Sequence, residues 1–155
     1  MFVALVLASG CGEKEPANQL LFWVTDVSPT GLEVPDDLEA IQLTVWSIDE
    51  DGGMTEAHMN GWPLRPTGST SDAGVTLPAS LAVLPRDPDM PRGSVLVELE
   101  ALRNTDELVL RYSLITNFGV GLVEHDLPID PTCFGMFCSA GERCQGGDPP
   151  TCVRF

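Results

Sequence analysis

The sequence predicts an all-β protein, an antiparallel β-sandwich followed by a short disulfide-stapled C-terminal tail. Three observations lead to this fold class. From residue 20 onward, short segments of β-forming residues alternate with turn signals, and few windows have the period of a helix. Thirteen prolines and fifteen glycines supply many turns. Four cysteines fall within residues 133–152, a density typical of disulfide frameworks in exported chains.

Seven strands are expected between residues 20 and 127, enough for a sandwich. Their ranges are 20–27, 40–48, 74–77, 80–84, 94–102, 108–115 and 120–127. Alternation of side chains is clearest in three of them. The residues that share one face of their strand are Ile41, Leu43, Val45 and Ser47, then Val95, Val97, Leu99 and Ala101, then Leu108, Leu110, Tyr112 and Leu114. Because a slip of one residue would exchange the two faces, we expect a firm register.

Turn residues mark the connections between these strands. Asn104-Thr105-Asp106 predicts a hairpin, and the glycines of Asp51-Gly52-Gly53 can adopt the positive φ that a tight turn needs. Three prolines within residues 85–93 exclude a central strand there, so a stiff crossover loop is expected. Residues 65–73 should be irregular.

Composition and charge narrow the class of protein. A chain of 155 residues has room for one domain and a tail, and 43% hydrophobic residues with only 20% charged ones favour a folded core over disorder. The net charge of −15 repels phosphate backbones and anionic lipid headgroups. We therefore expect no nucleic-acid partner.

The N-terminus carries an export pattern. An apolar run over residues 2–7 precedes Ala8-Ser9-Gly10-Cys11, and this tetrapeptide resembles the lipobox of bacterial lipoproteins. The resemblance implies that residues 1–10 are a signal peptide remnant and that Cys11 is acylated as the mature N-terminus. No Lys or Arg precedes the apolar run, so we expect the signal to begin upstream of Met1. The alternative is an ordinary buried first strand with a free thiol.

Residues 11–18 are polar and broken by a proline, as expected of a tether between a lipid and a domain. In the lipoproteins that the chain resembles, a residue other than Asp after the acylated cysteine permits transfer to the outer membrane, and Gly12 fits that pattern. The expected location is therefore the cell envelope, on the outer membrane and facing either the periplasm or the surface. The sandwich is assigned to residues 19–128 and the Cys-rich tail to residues 129–155.

Several segments of the body carry a second, looser resemblance. They are Pro78-Ala79-Ser80-Leu81, Val95-Leu96-Val97-Glu98, Asn117-Phe118-Gly119 and Leu127-Pro128, followed by the cysteines. The pattern is similar to uncharacterised envelope lipoproteins of social and predatory Gram-negative bacteria. In those proteins an immunoglobulin-like or fibronectin III-like sandwich precedes a Cys-rich tail. The resemblance implies a fold and a location, and it implies no reaction.

The four tail cysteines are expected to form two disulfides, because the rest of the tail offers few side chains for a core. The residues are Cys133, Cys138, Cys144 and Cys152. Three connectivities are open, and the sequence does not choose among them. A four-thiolate zinc site is the alternative, although the spacings lack the two close cysteine pairs that such sites use.

No set of catalytic residues is recognisable in the sequence. His58 and His125 are the only histidines, they do not form a metal-binding pair, and both are interpreted as surface or edge residues. The Gly-x-Ser-x-Gly motif and the phosphate-binding glycine motifs are absent. Asp49-Glu50-Asp51-Gly52 matches only half of a calcium loop, and a solvated hairpin tip is preferred. We expect no catalytic activity, no cofactor and no metal.

Tryptophan positions supply the one candidate binding residue. Trp23 and Trp46 lie inside predicted strands, where tryptophan usually fills a core. Trp62, between Gly61 and Pro63, is placed at a loop edge and is the weak candidate for a contact.

The predicted function is that of a non-catalytic binding or scaffold module of the envelope. It would be held on the membrane by its lipid and would contact an envelope protein or a polysaccharide. The alternatives are a periplasmic assembly factor or chaperone, recognisable by an exposed apolar groove or an unpaired sheet edge, and a hydrolase without a visible motif.

Overall fold

A computed structural model describes residues 18–28, 31–34, 36–66, 68–70, 74–85, 93–104, 107–119 and 121–155. These residues form β-strands joined by turns and one 3₁₀ turn. In chain order the strands are β1 Gln19–Asp26, β2 Ala40–Ile48, β3 Met54–Pro63, β4 Ala79–Val83, β5 Ser94–Arg103, β6 Glu107–Asn117, β7 Leu122–Ile129, β8 Glu142–Gln145 and β9 Thr151–Arg154.

The first seven strands form a two-sheet sandwich. One sheet has the strand order β4-β1-β7, and the other has the order β3-β2-β5-β6. Every pair within them is antiparallel except β1 with β7, which run in parallel. β8 and β9 form a separate antiparallel hairpin in the tail. The predicted fold class, an all-β sandwich with a disulfide-closed tail, is confirmed.

The core lies between the two sheets and follows the alternation seen in the sequence. β2 and β5 bury Ile41, Leu43 and Val45 and Val95, Val97, Leu99 and Ala101, each at most 5% exposed. β6 adds Leu110, Tyr112 and Leu114. β1 contributes Leu20, Phe22 and Val24 from the opposite sheet. One continuous apolar core results.

Leu108 is the exception, and its predicted place on the same face as Leu110 is wrong. The β5–β6 register passes from Ala101 with Leu110 to Leu102 with Leu108, so Val109 is an extra residue in β6. Such a bulge reverses the alternation beyond it. Leu108 therefore shares a face with Leu102, and Val109 is the residue that is buried.

One predicted strand is absent and one observed strand was not predicted. Residues 74–77 form a single bridge, Val75 with Leu64, because Gly74 has φ +91° and Pro78 follows. β3 was not predicted because most of its residues are exposed and polar or small, so it shows no apolar alternation. It is held by backbone pairing with β2 along one side. The count of seven sandwich strands is right although one member differs.

Both predicted hairpins are present. The carboxylate and carbonyl of Asp49 accept hydrogen bonds from Gly53 N and Gly52 N, which makes residues 49–53 a solvated turn. Asn104, with φ +48°, begins the turn between β5 and β6, whose other residues 105 and 106 lie outside the described part of the chain. β4 and β5 belong to different sheets, and residues 86–92 of the segment that connects them also lie outside the described part.

The tail is closed by two disulfides, Cys133–Cys144 and Cys138–Cys152. Cys144 and Cys152 face each other across the β8–β9 hairpin, yet each is bonded to the segment that precedes the hairpin. That segment begins with the 3₁₀ turn Pro131–Cys133. Asp130 caps this turn by accepting hydrogen bonds from the backbone N–H and the hydroxyl of Thr132. The disulfide prediction is confirmed, and the zinc alternative is excluded by the pairing of all four thiols.

The tail packs along the outer edge of β6. Gly135 N donates to Val109 O at 2.8 Å, and Gly141 N donates to Ser113 O at 2.7 Å. Between them Phe137 forms a parallel bridge with Arg111. An exposed sheet edge offers unpaired backbone groups to other chains, and the tail satisfies several of those on β6.

Tyr112 connects the sandwich core to the tail. Its ring is 1% exposed, its hydroxyl donates to Pro128 O at 2.6 Å, and its edge contacts the ring of Phe155 with centroids 6.1 Å apart. Burial raises the pKa of Tyr112 to about 12, with Arg143 lowering it and Asp130 raising it to smaller extents. The phenol is therefore held in its neutral, donating form.

The two disulfides should differ in their contribution to stability. They close loops of similar length, with separations of 11 and 14 residues, so the entropic part is about 3 kcal/mol for each. Cys133 and Cys144 are 0% and 2% exposed, whereas Cys152 is exposed. Replacing both members of the buried pair by Ala should therefore cost about 1–2 kcal/mol more than replacing Cys138 and Cys152. Urea denaturation of the two double variants measures the difference, and equal losses would contradict the assignment of the buried pair to the core.

Tyr112 makes stability depend on alkaline pH. The unfolded chain ionises this tyrosine near its ordinary pKa of about 10, and the folded chain near 12. The contribution of Tyr112 to the free energy of unfolding is therefore fully present below pH 10 and is lost as pH rises toward 12. About 1.4 kcal/mol of it is lost at pH 11. Tyr112 is the only tyrosine, so absorbance of tyrosinate reports it directly. The urea midpoint should fall less between pH 9 and pH 11 in Tyr112→Phe; a native-state midpoint near pH 10 would refute the shift.

Candidate binding surface

The four-stranded sheet has a face that points away from the second sheet. We call it the outer face, and its members are the alternate residues of four paired strands. They are Gln42, Thr44 and Trp46 of β2, Met54, Glu56 and Met59 of β3, Leu96, Glu98 and Glu100 of β5, and Arg111, Ser113 and Ile115 of β6. Phe137 of the tail extends this face beside Arg111.

Two carboxylates of β5 organise the polar part of the outer face. Glu98 accepts hydrogen bonds from Trp46 Nε1 at 3.0 Å and from Ser113 Oγ at 3.2 Å, one on each oxygen. Glu100 accepts from Gln42 Nε2 at 3.3 Å on one oxygen. These contacts join β5 to the side chains of its two neighbours, so the polar groups are held before any partner arrives.

Arg111 completes the polar part at the β6 side. Its Nε and Nη2 both donate to Glu100 Oε1, at 2.9 and 2.6 Å. The arginine side chain is 45% exposed, so the ion pair contributes at most about 1 kcal/mol to stability. Its larger effect is to fix the position of the guanidinium on the surface.

An apolar row crosses the same face. Trp46, Leu96 and Ile115 are register partners on adjacent strands, and Ile115 is 55% exposed. Met54 and Met59 of β3 are exposed by 60% and 54%. Exposed apolar side chains gathered on one face, with carboxylates beside them, are typical of an interaction surface. The outer face therefore combines apolar contact area with fixed acceptors.

Both histidines belong to edge strands, as predicted, but their register places them on the inner rows. His125 of β7 stacks on Phe22 at 5.5 Å between ring centroids, and its Nε2 lies 3.0 Å from Thr116 Oγ1. Burial lowers the pKa of His125 below 6.5, and Asp126 opposes the shift. His58 of β3 has a buried Nε2 without a hydrogen-bond partner. Neither histidine is brought to the outer face.

A cleft of about 450 Å³ lies at the opposite end of the sandwich from the residue 49–53 turn. Its walls include Leu32, Leu64 and Leu77, and Arg65 approaches it with a buried Nε that has no hydrogen-bond partner. Asp26 also lines it, but that carboxylate already accepts from the backbone of Ser28 and Leu32. The cleft mixes charges of both signs, and no ordered set of side-chain hydrogen bonds comparable with that of the outer face is described there.

The three tryptophans occupy positions other than those expected. Trp62 is not at a loop edge: it lies within β3, opposite Ile41, and packs half-buried against the core. Trp23 and Trp46 do not fill the core, because both turn to outward faces. Trp23 is 38% exposed and donates to Glu124 Oε1 at 3.1 Å. Of the three, Trp46 is the one that the outer face includes.

The remaining predicted site residues divide into two groups. Cys11 lies outside the described residues, with the whole of residues 1–17. The four tail cysteines are brought together as disulfides beside β6. Within the described ranges no cluster of three or more His, Cys, Asp or Glu side chains is arranged to hold a metal ion.

The outer face itself was not recognised from the sequence. Alternation already placed Glu98, Glu100 and Arg111 opposite the buried residues of their strands, which is a usable signal. What alternation does not give is the register between strands, and the register is what brings Trp46 to Glu98 and Gln42 to Glu100. The apolar members on β3 were missed because that strand was missed.

Comparison of the chain with protein-family models, with curated proteins and with solved structures finds no match in any of the three. In the part of the chain that the structure describes, no helix has the length and apolar character that a membrane span requires.

Proposed function

We propose that this chain is a non-catalytic lipoprotein of the cell envelope, anchored to the outer membrane through acylated Cys11, and that it acts as a binding module. The observation that carries the binding role is the outer face, where three strands hold a fixed array of acceptors beside exposed apolar side chains. The lipobox-like residues 8–11 support the location in the cell envelope. A tail closed by two disulfides fits an oxidising compartment.

The surface chemistry indicates which partner fits. Glu56 continues the apolar row on β3, Glu98 lies in the next register row, and Glu100 lies in the row beyond it. Among the named residues of that face, only Arg111 carries a positive charge. The whole chain has a net charge of −15, so anionic partners are repelled. Ile115, Met54 and Met59 favour apolar side chains over sugar hydroxyls. Of the two expected partner classes, an envelope protein with a basic and apolar surface fits better than a polysaccharide.

An assembly factor or chaperone is the second candidate. The observation that favours it is the exposure of β3 at the edge of the four-stranded sheet, where a client strand could pair. This reading differs from the first in the lifetime of the complex, because a client leaves once it has folded. A hydrolase lacks a comparable supporting observation among the described residues.

Mass spectrometry of the protein from the native membrane fraction tests the proposed lipid anchor. We expect a chain that begins at Cys11, carries acyl groups there, and gains about four daltons on reduction because two disulfides open. A Cys11→Ser variant is the control and should remain without lipid. An unacylated chain that retains Met1 would refute the anchor while leaving the binding role open.

Site-specific photo-crosslinking in the native host tests the binding role. A photoreactive residue at Ile115, on the outer face, should form a discrete adduct with one partner. The matched control is Leu122, which is 43% exposed on the other sheet. The Ile115 adduct should weaken when Glu98 is changed to Gln, because the fixed acceptors are part of the surface. Adducts of equal yield at both positions would count against a dedicated outer face.

A further inference from the structure

The two edge strands of the four-stranded sheet, β3 and β6, differ in how much of their outer backbone is hydrogen-bonded. The tail covers β6 through hydrogen bonds to Val109 and Ser113 and through the Phe137 bridge. On β3, at the opposite edge, the hydrogen bond from Val75 N to Pro63 O at 2.9 Å occupies only the last residue. In the described ranges no other backbone pairs with β3 on its outer side, so the edge from Met54 to Gly61 is open.

Hydrogen bonds at both ends of the β2–β3 ladder show which groups face outward. Asp49 N donates to Gly53 O, and Leu64 N donates to Glu39 O, so residues 53 and 64 turn their backbone groups toward β2. Backbone groups of successive strand residues point to alternate sides, and one extra residue at the bulge near Ala57 resets the order. The residues whose N–H and C=O groups face the open edge are therefore Met54, Glu56, Met59 and Gly61. Of these, Gly61 N already donates to Asn60 Oδ1 at 3.0 Å.

The surroundings of this edge are acidic and apolar. β3 has no Lys or Arg, and Glu56 is exposed on it. Exposed Glu50 and Asp51 lie in the turn that precedes it. Met54 and Met59 project onto the outer face beside the edge. An added strand would thus meet negative charge at one end and apolar contacts along its length.

We infer that β3 accepts an extended, Lys- or Arg-bearing segment of a protein partner as a fifth strand of this sheet. The inference rests on the proposed binding role and specifies how the partner engages: its backbone pairs with β3 and its side chains reach the outer face. A second copy of this chain is the less suitable occupant, because each copy has a net charge of −15 and neither β3 has a Lys or Arg to pair with Glu56. Backbone pairing supplies affinity, and the charges select the partner.

A peptide of ten residues that alternates Lys and Val, blocked at both ends, is the probe, and the same peptide with Glu for Lys is its control. Amide hydrogen exchange of the full-length protein is followed by NMR with each peptide. The Lys peptide should slow exchange at Glu56 and Met59 by about tenfold or more, since these amides gain hydrogen bonds. The Glu peptide should leave them unchanged.

Variants of β3 sharpen the test. Met59→Pro removes an N–H that faces the open edge and breaks no backbone hydrogen bond to β2, although it removes the sulfur that accepts from Gln42 Nε2 at 3.6 Å. The sheet should therefore persist while peptide affinity falls about tenfold. Glu56→Gln should weaken binding about threefold through lost charge, and Glu33→Gln, an exposed acid at the far end of the sandwich, should have no effect. The charge variants remain informative if Met59→Pro does not fold.

Four results would overturn the inference. Protection confined to amides outside β3 would show that the peptide docks without adding a strand. Protection of β3 that appears without peptide and rises with protein concentration would assign the edge to a second copy. Equal binding of the Lys and Glu peptides would remove the charge selection. A discrete crosslink at Ile115 without protection of β3 would leave the proposed function intact and refute only this mode of binding.

Discussion

The Cys133–Cys144 disulfide joins two segments of the tail within the apolar core that the tail shares with the sandwich. Both sulfur-bearing residues lie in the same apolar core as the strands of the two sheets. This bond holds the segment after β7 next to β6, where Gly135 and Gly141 reach the β6 backbone. The neighbouring Cys138–Cys152 bond then positions β9, so that Phe155 contacts the ring of Tyr112. Without the first bond the tail would have too few apolar side chains to remain ordered.

Because the tail covers the β6 edge, the two edges of the four-stranded sheet differ. One side ends in the disulfide-closed tail, and the other ends in β3, whose backbone pairs with β2. Between the two edges, Glu98 and Glu100 hold the side chains of β2 and β6 across the outer face. The covered β6 edge therefore helps to hold the outer face in place, while the β3 edge leaves backbone groups available for pairing.

The sequence predicts those parts of the fold in which burial controls the pattern. Alternation in β2 and β5 located the inner residues, because each of these central strands has one face in the core. It failed for β3, which buries little, and for Leu108, where a bulge changes the parity of β6. Cysteine number predicted the disulfides, but pairing depends on how the β8–β9 hairpin folds back, which no spacing encodes.

The candidate site shows the same limit more strongly. That Glu98 and Arg111 would face away from the core followed from alternation alone. That Glu98 would bind Trp46 required the register of β2 with β5, a long-range property of the fold. The tryptophan positions were misjudged for a related reason: an indole can lie flat on an exposed sheet when a carboxylate accepts from its nitrogen, as Glu98 and Glu124 do.

The parallel pairing of β1 with β7 has a mechanical consequence. β1 is the middle strand of its sheet, with eight register pairs to β7 and five to β4, and Asn18 immediately precedes it. A pull on Asn18 along the strand axis would load these pairs together in shear, instead of opening them one after another from an end. Forced unfolding is governed by the rate of crossing such a barrier. A force applied at Asn18 along the strand is therefore resisted by the register pairs to both neighbouring strands at once.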